Sequence, residues 1–226
     1  MAGRGGETAA SSARVSRIVG NPAQRRRHRL GRIAKERAVE EHRSDVLEHN
    51  ARLRKVGHIA NRGSDAGRHI VFDPGMVASR DDILGPLAEL GLAPEDITDV
   101  ILSHHHPDNT LNAGLFPQAR IHDHKVEYQN NTWTNRDAEG HELTPSLRLI
   151  RTPGHSPEDI TLLAGTASGV IAFAGDLWWH AAGPADDPVA PDREVLRASR
   201  TRVHATADLI VPGHGAPFTP DDTTPL

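Results

Sequence analysis

The 226-residue sequence contains no cysteine, which excludes disulfide bonds, iron–sulfur clusters and cysteine-ligated zinc sites. It has no run of about 18 apolar residues, so we expect no membrane-spanning helix. The N-terminus also lacks the apolar core of a secretory signal, and we expect a cytoplasmic location. Aromatic residues make up only 4% of the chain, and the first of them is Phe72. Because aromatic side chains usually anchor a core, the folded region is expected to begin near that residue.

The charge of the chain divides at almost the same point. Residues 1–68 contain 16 Lys+Arg and 7 Asp+Glu, a net of +9, whereas residues 69–226 contain 10 and 23, a net of −13. Such a split indicates two regions with different physical roles. We predict that residues 1–68 are a basic arm without strands, either disordered or read from an out-of-frame segment. Residues 69–218 are predicted to form the folded domain, and residues 219–226 a frayed tail.

Histidine, by contrast, is abundant, and 11 of the 15 histidines follow residue 68. Three of them are consecutive in the segment 103–110, directly after a short apolar run that reads as a strand. Residues of metal-binding type also stand at three later predicted strand ends, where Gly or Pro lets the backbone turn. Imidazole and carboxylate are the usual ligands of zinc and iron. Since strand ends converge in a sheet, we predict one metal site from His104, His106, Asp108, His155, Asp176 and His214.

Periodicity predicts an alternation of short strands and helices around these positions. A helix is predicted over 80–90 with Ser79 as its cap, and a second over 192–207. Strands are predicted over 69–73, 99–102, 119–122, 147–151, 160–164, 170–174 and 208–211. We also predict a helix over 125–129 and a polar loop over 130–145.

The histidine and aspartate pattern resembles the signature of the metallo-β-lactamase superfamily, His-x-His-x-Asp-His followed by a later His, an Asp and a final His. The matching segments are His104–Asn109, Thr152–His155, Gly175-Asp176 and Pro212–Gly215, together with the Asp73-Pro74-Gly75 turn. Three further segments, 114–117, 164–167 and 211–218, look closest to one subgroup of metallo-β-lactamase domain-containing proteins and its microbial relatives. The resemblance implies an α/β fold of the α+β type, a four-layer αββα sandwich. Its N-terminal sheet is expected to be incomplete or replaced.

The resemblance also implies a role for each matching residue. His104, His106 and His155 would hold one metal ion, Asp176 would bridge two ions, and Asp108 and His214 would serve the second ion. The expected cofactor is zinc, as one or two ions, with iron or manganese as alternatives. The family has a further histidine where this chain has Asn109, whose amide oxygen is a weak zinc ligand. We therefore expect a strong first site and a weak or vacant second site.

Other residues near the motif have smaller expected roles. Asp108 is the candidate catalytic residue, because it would orient a hydroxide or accept its proton. Asn109, Trp178, Trp179 and His180 are candidates for the substrate pocket, with structural packing an equal alternative for the tryptophan pair and His180. His105 is expected to face away from the metals.

The resemblance implies a metal-dependent hydrolase that uses a metal-activated hydroxide on an ester, thioester, lactone or phosphodiester. Two alternatives stay open. Asn109 and the unusual N-terminus suggest an inactive or impaired metal-binding scaffold. The basic arm suggests an RNA-processing nuclease, although the net charge of −13 on residues 69–226 argues against a large nucleic-acid footprint there. No oligomeric state is predicted.

Overall fold

The computed structural model describes residues 57–60 and 67–226. The predictions of a disordered basic arm or an out-of-frame segment therefore fall almost wholly outside the described residues. One part of that prediction is wrong, because residues 57–60 form a strand that pairs antiparallel with residues 69–72.

The first sheet contains six strands in the order β1-β2-β3-β4-β5-β6. Its central strands β2, β3 and β4 run parallel, and β1, β5 and β6 extend it by antiparallel pairing. The strands are β1 (Gly57–Ala60), β2 (His69–Phe72), β3 (Asp99–Ile101), β4 (Arg120–His122), β5 (Val126–Gln129) and β6 (Thr132–Asn135).

The second sheet contains five strands in the order β11-β10-β9-β8-β7. All of its pairs are antiparallel except β10–β11, which is parallel. The strands are β7 (Glu142–Thr144), β8 (Leu147–Arg151), β9 (Ile160–Thr166), β10 (Gly169–Gly175) and β11 (Leu209–Pro212).

Within residues 57–60 and 67–226, two helices and one helical turn lie outside the sheets. Helix α1 spans Asp81–Glu89, the turn α2 spans Pro107–Thr110, and α3 spans Arg193–His204, with 3₁₀ turns at Pro94–Asp96 and Ala113–Leu115. Asp192 caps α3, since its side chain accepts hydrogen bonds from the backbone N–H groups of Glu194 and Val195.

Alternation along the strands produces the four layers. In β2, Phe72 faces the second sheet, where its ring lies 5.8 Å from that of Phe173, while Val71 packs with Leu87 of α1. On the opposite side, Leu196 of α3 packs with Ile150 of β8. Burying a side chain of this size stabilises the fold by about 1.5–3 kcal/mol. The predicted αββα sandwich is confirmed.

The prediction for residues 125–145 is wrong. The segment 125–129 contains strand β5 instead of a helix, and the expected loop contains β6 and β7. Asn130 and Asn131 both have positive φ, 50° and 61°, as in the two-residue turns that match the twist of a hairpin. The Tyr128 and Trp133 rings, 4.7 Å apart, pair across this hairpin.

The predicted frayed tail is also incorrect. Phe218 is buried and bridges to Ile210. The indole Nε1 of Trp178 donates a hydrogen bond of 2.8 Å to the carbonyl of Pro225. The buried tryptophan therefore anchors the C-terminus to the second sheet.

Candidate metal centre

The residues predicted to bind metal come together where strands of both sheets end. His104 and His106 follow β3, His155 follows β8, Asp176 follows β10 and His214 follows β11. A backbone hydrogen bond of 2.9 Å from the N–H of Ile160 to the carbonyl of Ser103 joins the two sheets here. The sandwich fold thus brings residues that are far apart in the sequence into one cluster.

The first ligand group consists of His104, His106, His155 and Asp176, whose ligand atoms all lie within 4.8 Å of one another. His106 Nδ1 is 2.9 Å from His104 Nε2 and 3.1 Å from His155 Nε2. Asp176 Oδ2 lies 3.8 Å from His104 Nε2 and 3.6 Å from His155 Nε2. Tetrahedral zinc with nitrogen ligands at about 2.05 Å separates them by about 3.4 Å. The observed separations bracket that value.

The second ligand group consists of Asp108, Asp176 and His214 and shares Asp176 with the first. His214 Nε2 lies 3.2 Å from Asp176 Oδ2 and 3.6 Å from Asp108 Oδ2. The side chains of His214 and Asp108 are 31% and 34% exposed, so this side of the centre opens to solvent.

Hydrogen bonds fix the tautomer of His104. Ser103 Oγ donates to Asp73 Oδ2 at 2.6 Å, so it can only accept from the Nδ1–H of His104, 2.9 Å away. The lone pair of His104 is therefore on Nε2, which faces the other ligands. Burial raises the pKa of Asp73 well above its ordinary value, whereas the two hydrogen bonds that Ser103 donates act in the opposite direction and favour the carboxylate as acceptor.

A buried carboxylate orients His155 in the same way. Asp187 Oδ2 lies 2.8 Å from His155 Nδ1, and its Oδ1 accepts a hydrogen bond from the backbone of Val189. This arrangement places the proton on Nδ1 and leaves Nε2 free to bind a metal ion, as in many metal sites.

Two glycines allow the strand ends to approach so closely. Gly175 has a φ of 52°, and a Cβ there would collide with the Ser103 side chain. A Cβ at Gly213 would collide with Asp176 Oδ1. The Gly-Asp and Gly-His pairs in the sequence thus reflect steric need.

The residues present fit a divalent cation. Asp176 Oδ2 faces ligand nitrogens of both groups, and its Oδ1 is buried with no hydrogen-bond partner among the described residues, so a bound cation would offset the cost of burying this carboxylate. Burial raises the pKa of Asp159 to about 7, whereas the pKa of Asp176 is lowered despite burial, because His214 hydrogen-bonds to it. Burial also lowers the pKa of His104 to about 4, so its imidazole is neutral and able to ligate.

Asn109, which replaces the family's histidine, is buried beside the first group. Its Nδ2 lies 3.1 Å from His104 Nε2. An amide N–H in that orientation competes with a metal ion for the lone pair of His104. Asn109 therefore adds no imidazole to the second group and contacts the first.

The candidate pocket residues occupy different surroundings. Trp178 is fully buried in the core, so the pocket-wall interpretation is wrong for this residue. Trp179 is half-buried, and its ring centre lies 6.0 Å from that of His155 and 6.3 Å from that of His214. His180 is exposed, and its Nδ1 accepts a hydrogen bond from the backbone of Ala182. Of the three, Trp179 alone borders both ligand groups.

Sequence reasoning missed Ser103 and Asp187, which contact the Nδ1 atoms of His104 and His155. It also missed Asp159, whose Oδ1 lies 3.8 Å from His104 Nδ1. Asp187 lies in a loop rich in Ala, Pro and Asp that has no periodicity, so no local signal marks it. Ser103 directly precedes the first histidine, and its position was the one available clue. His105 turns outward, as predicted, and is exposed.

Comparison with known sequences identifies a family. The family model described as Metallo-beta-lactamase superfamily matches residues 62–214. The chain is 37% identical over 161 residues to "Metallo-beta-lactamase domain-containing protein 1" from Xenopus laevis, covering 66% of this chain and 67% of that protein. It is 38% identical over 164 residues to the Homo sapiens protein of the same name, covering 66% and 59%. The chain thus spans about three fifths of the human relative.

Solved structures share the fold. A metallo-beta-lactamase structure from Thermotoga maritima superimposes with a TM-score of 0.57 at 23% identity, covering 74% of this chain and 97% of that one. The structure of AidC, a dizinc quorum-quenching lactonase in complex with its product, gives a TM-score of 0.55 at 18% identity, covering 71% of each chain.

Within the described residues, no helix is long and apolar enough to span a membrane.

Proposed function

The chain belongs to the metallo-beta-lactamase superfamily, and from that premise we propose that it is a metal-dependent hydrolase with one tight and one weak metal position. His104, His106, His155 and Asp176 hold the tight ion, and Asp108, Asp176 and His214 form the weak position. The observation that supports this proposal most directly is that the two ligand groups share the buried carboxylate of Asp176. We infer zinc as the ion, because three imidazoles and one carboxylate suit it.

A bound ion of this kind supplies a Lewis acid that polarises a substrate oxygen and lowers the pKa of water to about 7. The protein supplies the positioning around it. Ser103 and Asp187 hold two imidazoles in one tautomer each. Asp108, half-exposed and 3.6 Å from His214 Nε2, is placed to accept a proton from water that enters from solvent.

The proposed substrate is a small ester, thioester or lactone, with a phosphodiester as the remaining class. The half-buried ring of Trp179 beside His155 and His214 gives the open side of the centre an apolar wall. AidC, which shares the fold, is named a lactonase. Lactones are therefore the first substrate class to test.

The test is a substrate panel on the intact chain loaded with zinc, manganese or iron. The panel contains a lactone, a thioester, an aryl ester, a phosphodiester and a single-stranded RNA. We expect turnover of at least one member and its loss in His106→Ala. A matched control is His141→Ala, which removes a half-buried histidine outside both ligand groups and is expected to retain wild-type rates.

Asn109 favours a second candidate, a metal-binding scaffold without activity. Equal inertness of the wild type and His106→Ala toward the whole panel, with zinc still bound by the wild type, would establish the scaffold and refute the hydrolase. Cleavage of the RNA alone would instead identify a nuclease.

A further inference from the structure

A second group of metal-ligand side chains lies on the outer side of the histidine loop. It is formed by His105 from that loop and by Asp123 and His124 from the turn between β4 and β5, and their ligand atoms lie within 4.8 Å of one another. None of the three belongs to the centre described above. Alternation along the extended loop places His104 and His106 on the inner side and His105 on the outer side.

The Asp123 carboxylate is held in position by its own turn. Its Oδ1 accepts hydrogen bonds of 2.7 and 2.8 Å from the backbone N–H groups of Lys125 and Val126. Its Oδ2 then faces His105 Nε2 at 3.2 Å. The pKa of Asp123 is lowered despite burial by these backbone bonds, so the group is an ionised and fixed oxygen ligand.

The second histidine of the group has an unused ligand atom. His124 Nδ1 is buried and has no hydrogen-bond partner among the described residues, although it lies 3.9 Å from Asp123 Oδ1. Burial lowers the pKa of His124, which keeps the imidazole neutral. An unpaired, neutral ring nitrogen beside an ionised carboxylate is costly unless a cation completes it.

A carboxylate also lies behind His105. Glu158 Oε1 is 3.8 Å from His105 Nδ1, the ring nitrogen that does not face Asp123. A small closure would let Glu158 accept the Nδ1 proton and fix the lone pair on Nε2, as carboxylates do for metal-bound histidines. His105 is 47% exposed, so an ion can enter from solvent.

We propose that His105, Asp123 and His124 form a peripheral site for a divalent transition metal of the zinc class, separate from the hydrolytic centre. The site goes beyond the proposed function and does not require it. A bound ion would tie the histidine loop to the β4–β5 turn and so restrain the loop that carries His104 and His106. Because the site offers three protein ligands and His105 is 47% exposed, we expect weaker binding than at the buried first group.

A similar group within the described residues serves as an internal comparison. His122, Glu127 and His141 also bring their ligand atoms within 4.8 Å. The guanidinium of Arg136, however, lies 3.3 Å from His122 Nδ1, where it occupies the lone pair and repels a cation. We expect no metal ion there.

The experiment is equilibrium dialysis of the full chain, without an added histidine tag, against a series of free zinc concentrations. Ions per chain are counted for the wild type, His105→Ala, His124→Ala and His141→Ala, with circular dichroism to verify folding. We expect the first two variants to bind one ion fewer than the wild type at high free zinc, or to need about tenfold more zinc for it. His141→Ala should match the wild type.

Unchanged zinc binding in His105→Ala and His124→Ala would overturn the site, as would equal losses in all three variants. His105→Ala alone decides the outcome if His124→Ala fails to fold, because the His105 side chain is exposed. The tight ion of the hydrolytic centre is counted separately at low free zinc, so failure of one site is distinguishable from failure of the other.

Discussion

The two ligand groups that share Asp176 differ in how the surrounding structure supports them. In the first group, His104 and His155 are buried and each has a polar partner on the nitrogen that faces away from the metal position. In the second, Asp108 and His214 are about one third exposed. The difference indicates that preorganisation, as well as ligand type, divides a shared site into a tight and a weak position.

The largest expected effect comes from removing the shared carboxylate. Asp176→Asn keeps the side-chain volume but removes the charge that both groups use. We expect both ions to be lost and the rate of hydrolysis to fall a hundredfold or more, which corresponds to a loss of about 3 kcal/mol of transition-state stabilisation. Metal analysis and initial rates of the purified variant measure this. Retention of either ion at wild-type affinity would contradict a shared ligand.

A smaller effect is expected from the residue that orients His155. Asp187→Asn should weaken the tight ion about 10- to 100-fold and the weak ion less, since Asp187 bonds to His155, which is not a member of the second group. Zinc titration with a competing chelator measures the tight constant. Asp186→Asn is the matched control, because its side chain is 74% exposed and pairs with Arg193 on the surface. Equal losses in both variants would show that the effect is not specific to His155.

The smallest expected effect tests the weak position. Asn109→His restores the imidazole that the family places there and should tighten the second ion by about tenfold, or about 1.4 kcal/mol. The tight ion should change less. Calorimetric titration of the second ion measures this difference, and an unchanged second affinity would show that residue 109 does not define the weak position.

Much of this centre follows from the sequence because its ligands stand at strand ends. A glycine directly precedes each of His155, Asp176 and His214. This pattern can be recognised from neighbouring residues alone. The role of Asp187 cannot be predicted from the residues around it in the sequence, because its contact with His155 is made by a loop that folds back over that residue. The two Asn residues at 130–131 were a hairpin signal that the polar character of the segment obscured. Trp178 and the tail illustrate the same limit, since their contact joins residues 47 positions apart.

The central claim is that one metal position is tight and the other weak. The most direct measurement is metal content of the intact chain after zinc loading and exhaustive dialysis against metal-free buffer. One zinc ion per chain should remain in the wild type, and His106→Ala should retain none. Two ions that survive dialysis of the wild type would contradict the account.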